Sequence, residues 1–127
     1  MENNLIKVLH VKVGEKPIVI EIPDELEPMQ KLVGGWIQEW KPWNDDVAII
    51  CNEEGKITGL PLNRSVKTST GLRDIIAGDF FLCYAPMDSE SFLSLSDEQI
   101  EKYSKIFETP EEFYMLGNDI LSRPLTA

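Results

Sequence analysis

Two five-residue runs carry no charged side chain, Val47-Ala48-Ile49-Ile50-Cys51 and Phe80-Phe81-Leu82-Cys83-Tyr84. Turn formers fence both: Asn44-Asp45-Asp46 and Asn52-Glu53-Glu54-Gly55 around the first, Gly78-Asp79 and Pro86 around the second. Short apolar runs rich in β-branched and aromatic residues, bounded in this way, read as buried strands. The chain must therefore build a sheet that hides them. Cys51 and Cys83, the only two cysteines, lie inside these runs. They are expected as buried, reduced thiols, although neighbouring strands would leave a disulfide open.

The flanking segments supply the rest of a single domain. Leu5 to Val13 alternates imperfectly between apolar and polar residues, Gly14-Glu15-Lys16-Pro17 is a turn, and Ile18, Ile20 and Ile22 share one face of a return strand. Asp24 with Glu27 predicts a capped helix in which Leu26, Met29, Leu32 and Val33 form the apolar face and Gly34-Gly35 ends it. Trp36 to Trp40 reads as a strand, and Lys56 to Leu60 as the hairpin partner of Val47–Cys51. A short apolar pattern (Leu72, Ile75, Ile76) follows. Ser96 with Gln99 is a capping box opening a helix over 97–107, and Thr109-Pro110-Glu111-Glu112 predicts a second, ending at Gly117. The expected fold is α+β: a mainly antiparallel sheet in ββα-βββ order with two short C-terminal helices. Residues 1–117 form the domain and 118–127 a polar tail.

With 127 residues, surface scaling gives about 6,800 Å² folded against about 21,000 Å² unfolded, so a self-sufficient core is within reach. The formal charge is −10, and residues 88–127 hold 9 acids against 3 bases. Such a balance argues against direct nucleic-acid binding, which needs cations for the phosphates. The opening Met1-Glu2-Asn3-Asn4 has no signal-peptide character, and no apolar run approaches the ~20 residues that span a bilayer. A cytoplasmic location without membrane contact is the expectation.

Catalytic constellations are sparse. His10 is the only histidine, so a nucleophile–base pair would have to centre on it. The plainer reading is a half-exposed residue on a strand face. Asp45-Asp46 and Glu53-Glu54 could collect a hard cation, but adjacent acids on exposed turns read first as solvated charge. No zinc or EF-hand spacing is present. The expectation is a chain that is not an enzyme and carries neither metal nor cofactor. Asn52, Asn63 and Arg64 stand at the ends of one hairpin arm, and two amides with a guanidinium can recognise a carboxylate, a phosphate or a base edge. Alternatively the asparagines cap turns and Arg64 pairs with an acid such as Asp74. Trp36 and Trp40 share a strand face that could stack a base or anchor a partner, with core packing as the alternative for Trp36. Trp43, in a loop, is the candidate for an exposed contact.

The run Leu26-x-x-x-Gln30-x-x-Val33-Gly34-Gly35-x-Ile37, followed by Cys51-Asn52-Glu53-Glu54-Gly55-Lys56-x-x-Gly59-Leu60-Pro61-x-Asn63-Arg64, resembles the Domain of Unknown Function 3846 family. Ile75-Ile76-x-Gly78-x-Phe80-Phe81 and Phe92-x-Ser94-Leu95-x-Asp97-Glu98-Gln99 fit the same pattern, so the likeness covers about residues 5–113. Trp40-Lys41-Pro42-Trp43 and the segment after Gly117 depart from it. Proteins of this kind occur in phages and in bacteria carrying conjugative elements, sometimes beside anti-restriction genes. The resemblance implies that Gln30, Asn52, Glu53, Asn63 and Arg64 are pattern positions, without assigning them to folding or to binding.

Three functional readings follow. The first is a non-catalytic interaction module from a mobile element, engaging a host protein or its own copy as monomer or homodimer. The second is a protein that senses or sequesters a small, nucleotide-like ligand, with Gln30, Asn52, Asn63 and Arg64 converging on one pocket. The third is an acidic mimic of DNA that blocks a host enzyme.

Overall fold

The computed structural model describes residues 4–125. Strands β1 (Leu5–Val11) and β2 (Ile18–Pro23) form the first hairpin, and helix α1 (Leu26–Val33) follows. Then come β3 (Ile37–Trp40), β4 (Val47–Asn52), β5 (Leu62–Lys67), β6 (Arg73–Ala77) and β7 (Phe80–Tyr84). Helix α2 (Asp97–Ile106) leads to a final hairpin, β8 (Glu111–Leu116) and β9 (Asp119–Pro124). The main sheet has the order β2-β1-β7-β4-β3 and is antiparallel throughout.

The two apolar runs are β4 and β7, the inner strands, and their uniform hydrophobicity has a geometric cause. Side chains alternate across a strand, and both faces of this sheet are covered. Val8, Ile22, Ala48, Ile50, Phe81 and Cys83 pack with Met29 and Val33 of α1 on one side. Leu9, Val47, Ile49, Cys51, Phe80 and Leu82 pack with Val66, Ile76, Tyr103 and Phe107 on the other, under α2 and the β5–β6 hairpin. Each fully buried Val, Leu, Ile or Phe among them contributes about 1.5–3 kcal/mol. Cys51 and Cys83 thus lie on opposite faces of the sheet, both free and buried.

The helix signals divide. At α2 the box is complete: Ser96 Oγ accepts from the Gln99 N–H and the Gln99 side chain accepts from the Ser96 N–H. At α1 the residue before the helix is Glu25 rather than Asp24, and no side chain caps it. The stop is as read, with Gly34 at φ 79° donating to the Gln30 carbonyl.

Three segments depart from expectation. Lys56–Leu60 is not a strand: the Thr58 and Leu60 N–H groups bond back to the Glu54 and Gly55 carbonyls, coiling the chain, and β4 pairs instead with β3 and β7. The second C-terminal helix is strand β8. Glu112, the acid of its capping box, pairs instead with Arg123 on β9, and Glu111 beside it gives both carboxylate oxygens to the N–H and Oγ of Ser65 on β5. The Gly117-Asn118 pair then serves as a two-residue hairpin turn, so β9 occupies residues 119–124 of the stretch read as a tail. Residues 126 and 127 of that stretch lie outside the described residues.

Candidate functional site

The β5 strand carries a bulge: Leu62 and Arg64 oppose the adjacent residues Ala77 and Ile76, leaving Asn63 as the extra residue. A bulge lets neighbouring side chains turn to the same side, and both Asn63 and Arg64 are buried. Asn63 Nδ2 donates to the carbonyls of Val11 and Gly78, at 2.9 Å each. Arg64 is 1% exposed. Its Nε and Nη2 donate to the Phe107 carbonyl, Nη2 also to the Glu15 carbonyl, and Nη1 to the carbonyl and side-chain oxygen of Asn63. A guanidinium has five N–H groups, and these five contacts use them. Phe107 closes α2, where a cation complements the helix dipole. Burial lowers the Arg64 pKa from its ordinary value, partly offset by the Glu111 carboxylate. Asp74, the acid suggested for Arg64, pairs instead with Lys56 at 2.7 Å.

The five pattern positions therefore do not converge. Asn63 and Arg64 stitch β5 to the β1–β2 turn and to α2. Asn52 works on the other side of the sheet, where its Nδ2 donates to the Val33 carbonyl at the end of α1 and its Oδ1 accepts from the Glu54 N–H. Gln30, on α1, is half-buried. Glu53 is exposed, its backbone N–H donating to the Trp36 carbonyl.

The tryptophans exchange roles. Trp36, a core candidate, is 65% exposed. Trp43, the candidate for exposure, is half-buried: its ring lies 4.6 Å from Tyr103 and 6.1 Å from Phe107, and its indole N–H donates to the Lys67 carbonyl. Tyr103 in turn donates to Asp45. Burial pushes the Asp45 carboxyl up, but the bonds from Tyr103 and the Val47 N–H, with Lys102 nearby, outweigh it and hold the group below its ordinary value. The same burial and contact with Asp45 raise the Tyr103 hydroxyl. Trp40 packs half-buried at the edge of the core.

His10 is buried, not half-exposed, and its Nε2 has no hydrogen-bond partner. Burial lowers its pKa, offset in part by Asp79. Among the described residues no three His, Cys, Asp or Glu side chains could hold a metal. Both thiols are raised by burial, Cys51 to about 11.

Two features face outward. A cleft of about 250 Å³ opens between β3–β4 and β6, lined by Trp40, Cys51, Asn52, Glu53 and the Lys56–Asp74 pair. The other is the β8–β9 hairpin, which sequence reading missed. Tyr114, Met115, Leu116, Ile120 and Leu121 are 37–65% exposed there. The apolar run Phe113 to Leu116, with Ile120 and Leu121 beyond Gly117-Asn118, was the available signal. It was outranked by a capping box whose glutamate is engaged elsewhere. In the acidic C-terminal stretch, Glu111 is held by Ser65 and Glu112 by Arg123.

Among the described residues no helix is long and apolar enough to cross a membrane. No curated protein and no solved structure matches the chain. The sequence model of one family does match, over residues 6–108, from β1 through α2 and stopping short of the final hairpin. On that match the chain belongs to the family described as Domain of unknown function (DUF3846).

Proposed function

We propose that this protein is a non-catalytic interaction module of mobile-element origin that works in the cytoplasm and binds another protein chain through its C-terminal hairpin. The observation that carries the reading is the hairpin's exposed apolar surface. A two-stranded hairpin is at best marginally stable alone, and apolar side chains clustered on one mark a contact surface. By contrast Asn63 and Arg64 have their hydrogen-bonding capacity taken up by the fold.

A photo-crosslinking side chain at Leu116, expressed in the bacterial host, tests this. The expected result is a discrete protein adduct from position 116 and none from the exposed Lys31 on α1. Equal, diffuse labelling from both would overturn it.

A second reading is favoured by the cleft beside Trp40. An aromatic wall, an apolar floor and the Lys56–Asp74 pair at its mouth suit a small polar ring compound. Native mass spectrometry of gently purified protein would show a retained mass of a few hundred daltons, lost on denaturation and absent from Trp40→Ala. A bare chain mass for the unmodified protein would dispose of it.

A further inference from the structure

Among the described residues strand β9 is hydrogen-bonded on one side only, to β8. The phase of that ladder is fixed at both ends. Leu116 opposes Asp119 across the two-residue turn, and beyond the strand ends the Leu125 N–H donates to the Pro110 carbonyl at 2.7 Å. Antiparallel pairs alternate between bonded and non-bonded. Asp119, Leu121 and Arg123 therefore direct their backbone groups to β8, while Ile120 and Ser122 direct theirs outward. Pro124, next in the outward row, has no N–H and ends the usable edge.

Such an edge complements itself. If β9 meets a second β9 antiparallel with Leu121 opposite Leu121, Ile120 of each copy lies opposite Ser122 of the other. Their outward N–H and carbonyl groups then form four hydrogen bonds. The same register places Asp119 opposite Arg123 of the other copy, twice. Opposite charges directly across a ladder are favourable, and sliding the strands by two residues in either direction loses both pairs. Cross-strand partners share a face, so Leu121 stands with Tyr114, and Asp119 with Leu116. Pairing would join two exposed Tyr114–Leu121 pairs into one apolar strip across four strands.

We infer that the occupant of this surface is a second copy of the chain, joined through antiparallel β9–β9 pairing in that register. The inference rests on the hairpin being the contact surface. The association is of the weak, concentration-dependent class, since one strand pair with its flanking side chains covers less than the ~800 Å² per partner of a stable interface.

Sedimentation over a wide concentration range, with two variants, tests it. Ser122→Pro removes an outward N–H that β8 does not use, so the fold should persist by circular dichroism. The dimer should weaken at least about tenfold. Leu121→Cys sets two thiols at a non-bonded pair, where Cα atoms stand about 4.5 Å apart, within disulfide reach. Mild oxidation should link it rapidly, and Leu116→Cys slowly. A chain that stays monomeric, or a dimer indifferent to Ser122→Pro, overturns the self-pairing. In either case a discrete host adduct from position 116 would leave the contact-surface reading standing, and its absence would end both.

Discussion

Arg64 and Phe107 are 43 residues apart in the chain, yet Nε and Nη2 of the one donate to the carbonyl of the other at 3.3 and 3.1 Å. Replacing Arg64 by Met would keep much of the volume and strand the carbonyls of Phe107, Glu15 and Asn63. Unsatisfied buried groups cost about 1–3 kcal/mol each, so the two buried carbonyls, of Phe107 and Asn63, set an expected loss of at least about 2 kcal/mol. Arg64→Lys should recover little, because one ammonium cannot reproduce the planar fork. Urea denaturation measures both. A variant as stable as the parent would release Arg64 for a binding role.

His10 gives the stability a pH dependence near neutrality. Its folded pKa is depressed below the ordinary 6.5 by burial, so the unfolded chain takes up a proton first. The contribution is complete above pH 6.5 and declines as pH falls toward the folded value. Urea midpoints measured from pH 7.5 down to pH 5 should fall, and His10→Leu should flatten the curve. An unchanged slope in that variant would place the titration elsewhere.

Asp45 acts in the same direction at lower pH. Its folded pKa lies below the ordinary 3.8, so its contribution is present above that value and is lost as pH drops further. Tyr103→Phe removes the donor and should cost about 1.5–3 kcal/mol at pH 7, as for bonds to charged groups. The deficit should shrink in acid, where Asp45 protonates. A pH-independent deficit would assign the effect to packing around Trp43 instead.

The loop after β4 tolerates no side chain at Gly55. A Cβ there would meet the Ala77 carbonyl oxygen at 2.9 Å, a backbone atom that cannot swing away. Gly55→Ala should destabilise by about 1–3 kcal/mol, whereas Ile57→Ala, at an 85% exposed position, should be neutral. Thermal unfolding of the two variants checks the contrast.

What the sequence disclosed and what it hid have physical reasons. β1, β2, β4, β7 and α2 were legible because local pattern and tertiary demand agree there: alternation, uninterrupted burial, a capping box that closes. The errors came where a distant residue claims a local signal. Glu112 has the spacing to close a capping box on Thr109, but Arg123 takes it. Trp43 has the neighbours of a loop residue, but Tyr103 and Phe107 cover it. The same holds for the candidate site. Asn52, Asn63 and Arg64 were singled out by side-chain chemistry suited to ligands, and that chemistry is spent on main-chain carbonyls that only the folded chain brings near. His10 was misplaced because one strand's pattern does not tell that both faces of its sheet will be covered.

The position of β7 between β1 and β4 sets an order for biosynthesis. The two hairpins made first, β1–β2 and β3–β4, have no hydrogen-bonded connection until residues 80–84 arrive to join them. A chain that has emerged only as far as Asp79 therefore lacks the strand that joins the two pairs, and neither pair alone is more than marginally stable. Emergence of five residues, Phe80 to Tyr84, turns them into one sheet. The nascent chain is most open to misassociation just before that moment, and chaperone attention during translation is predicted to peak there.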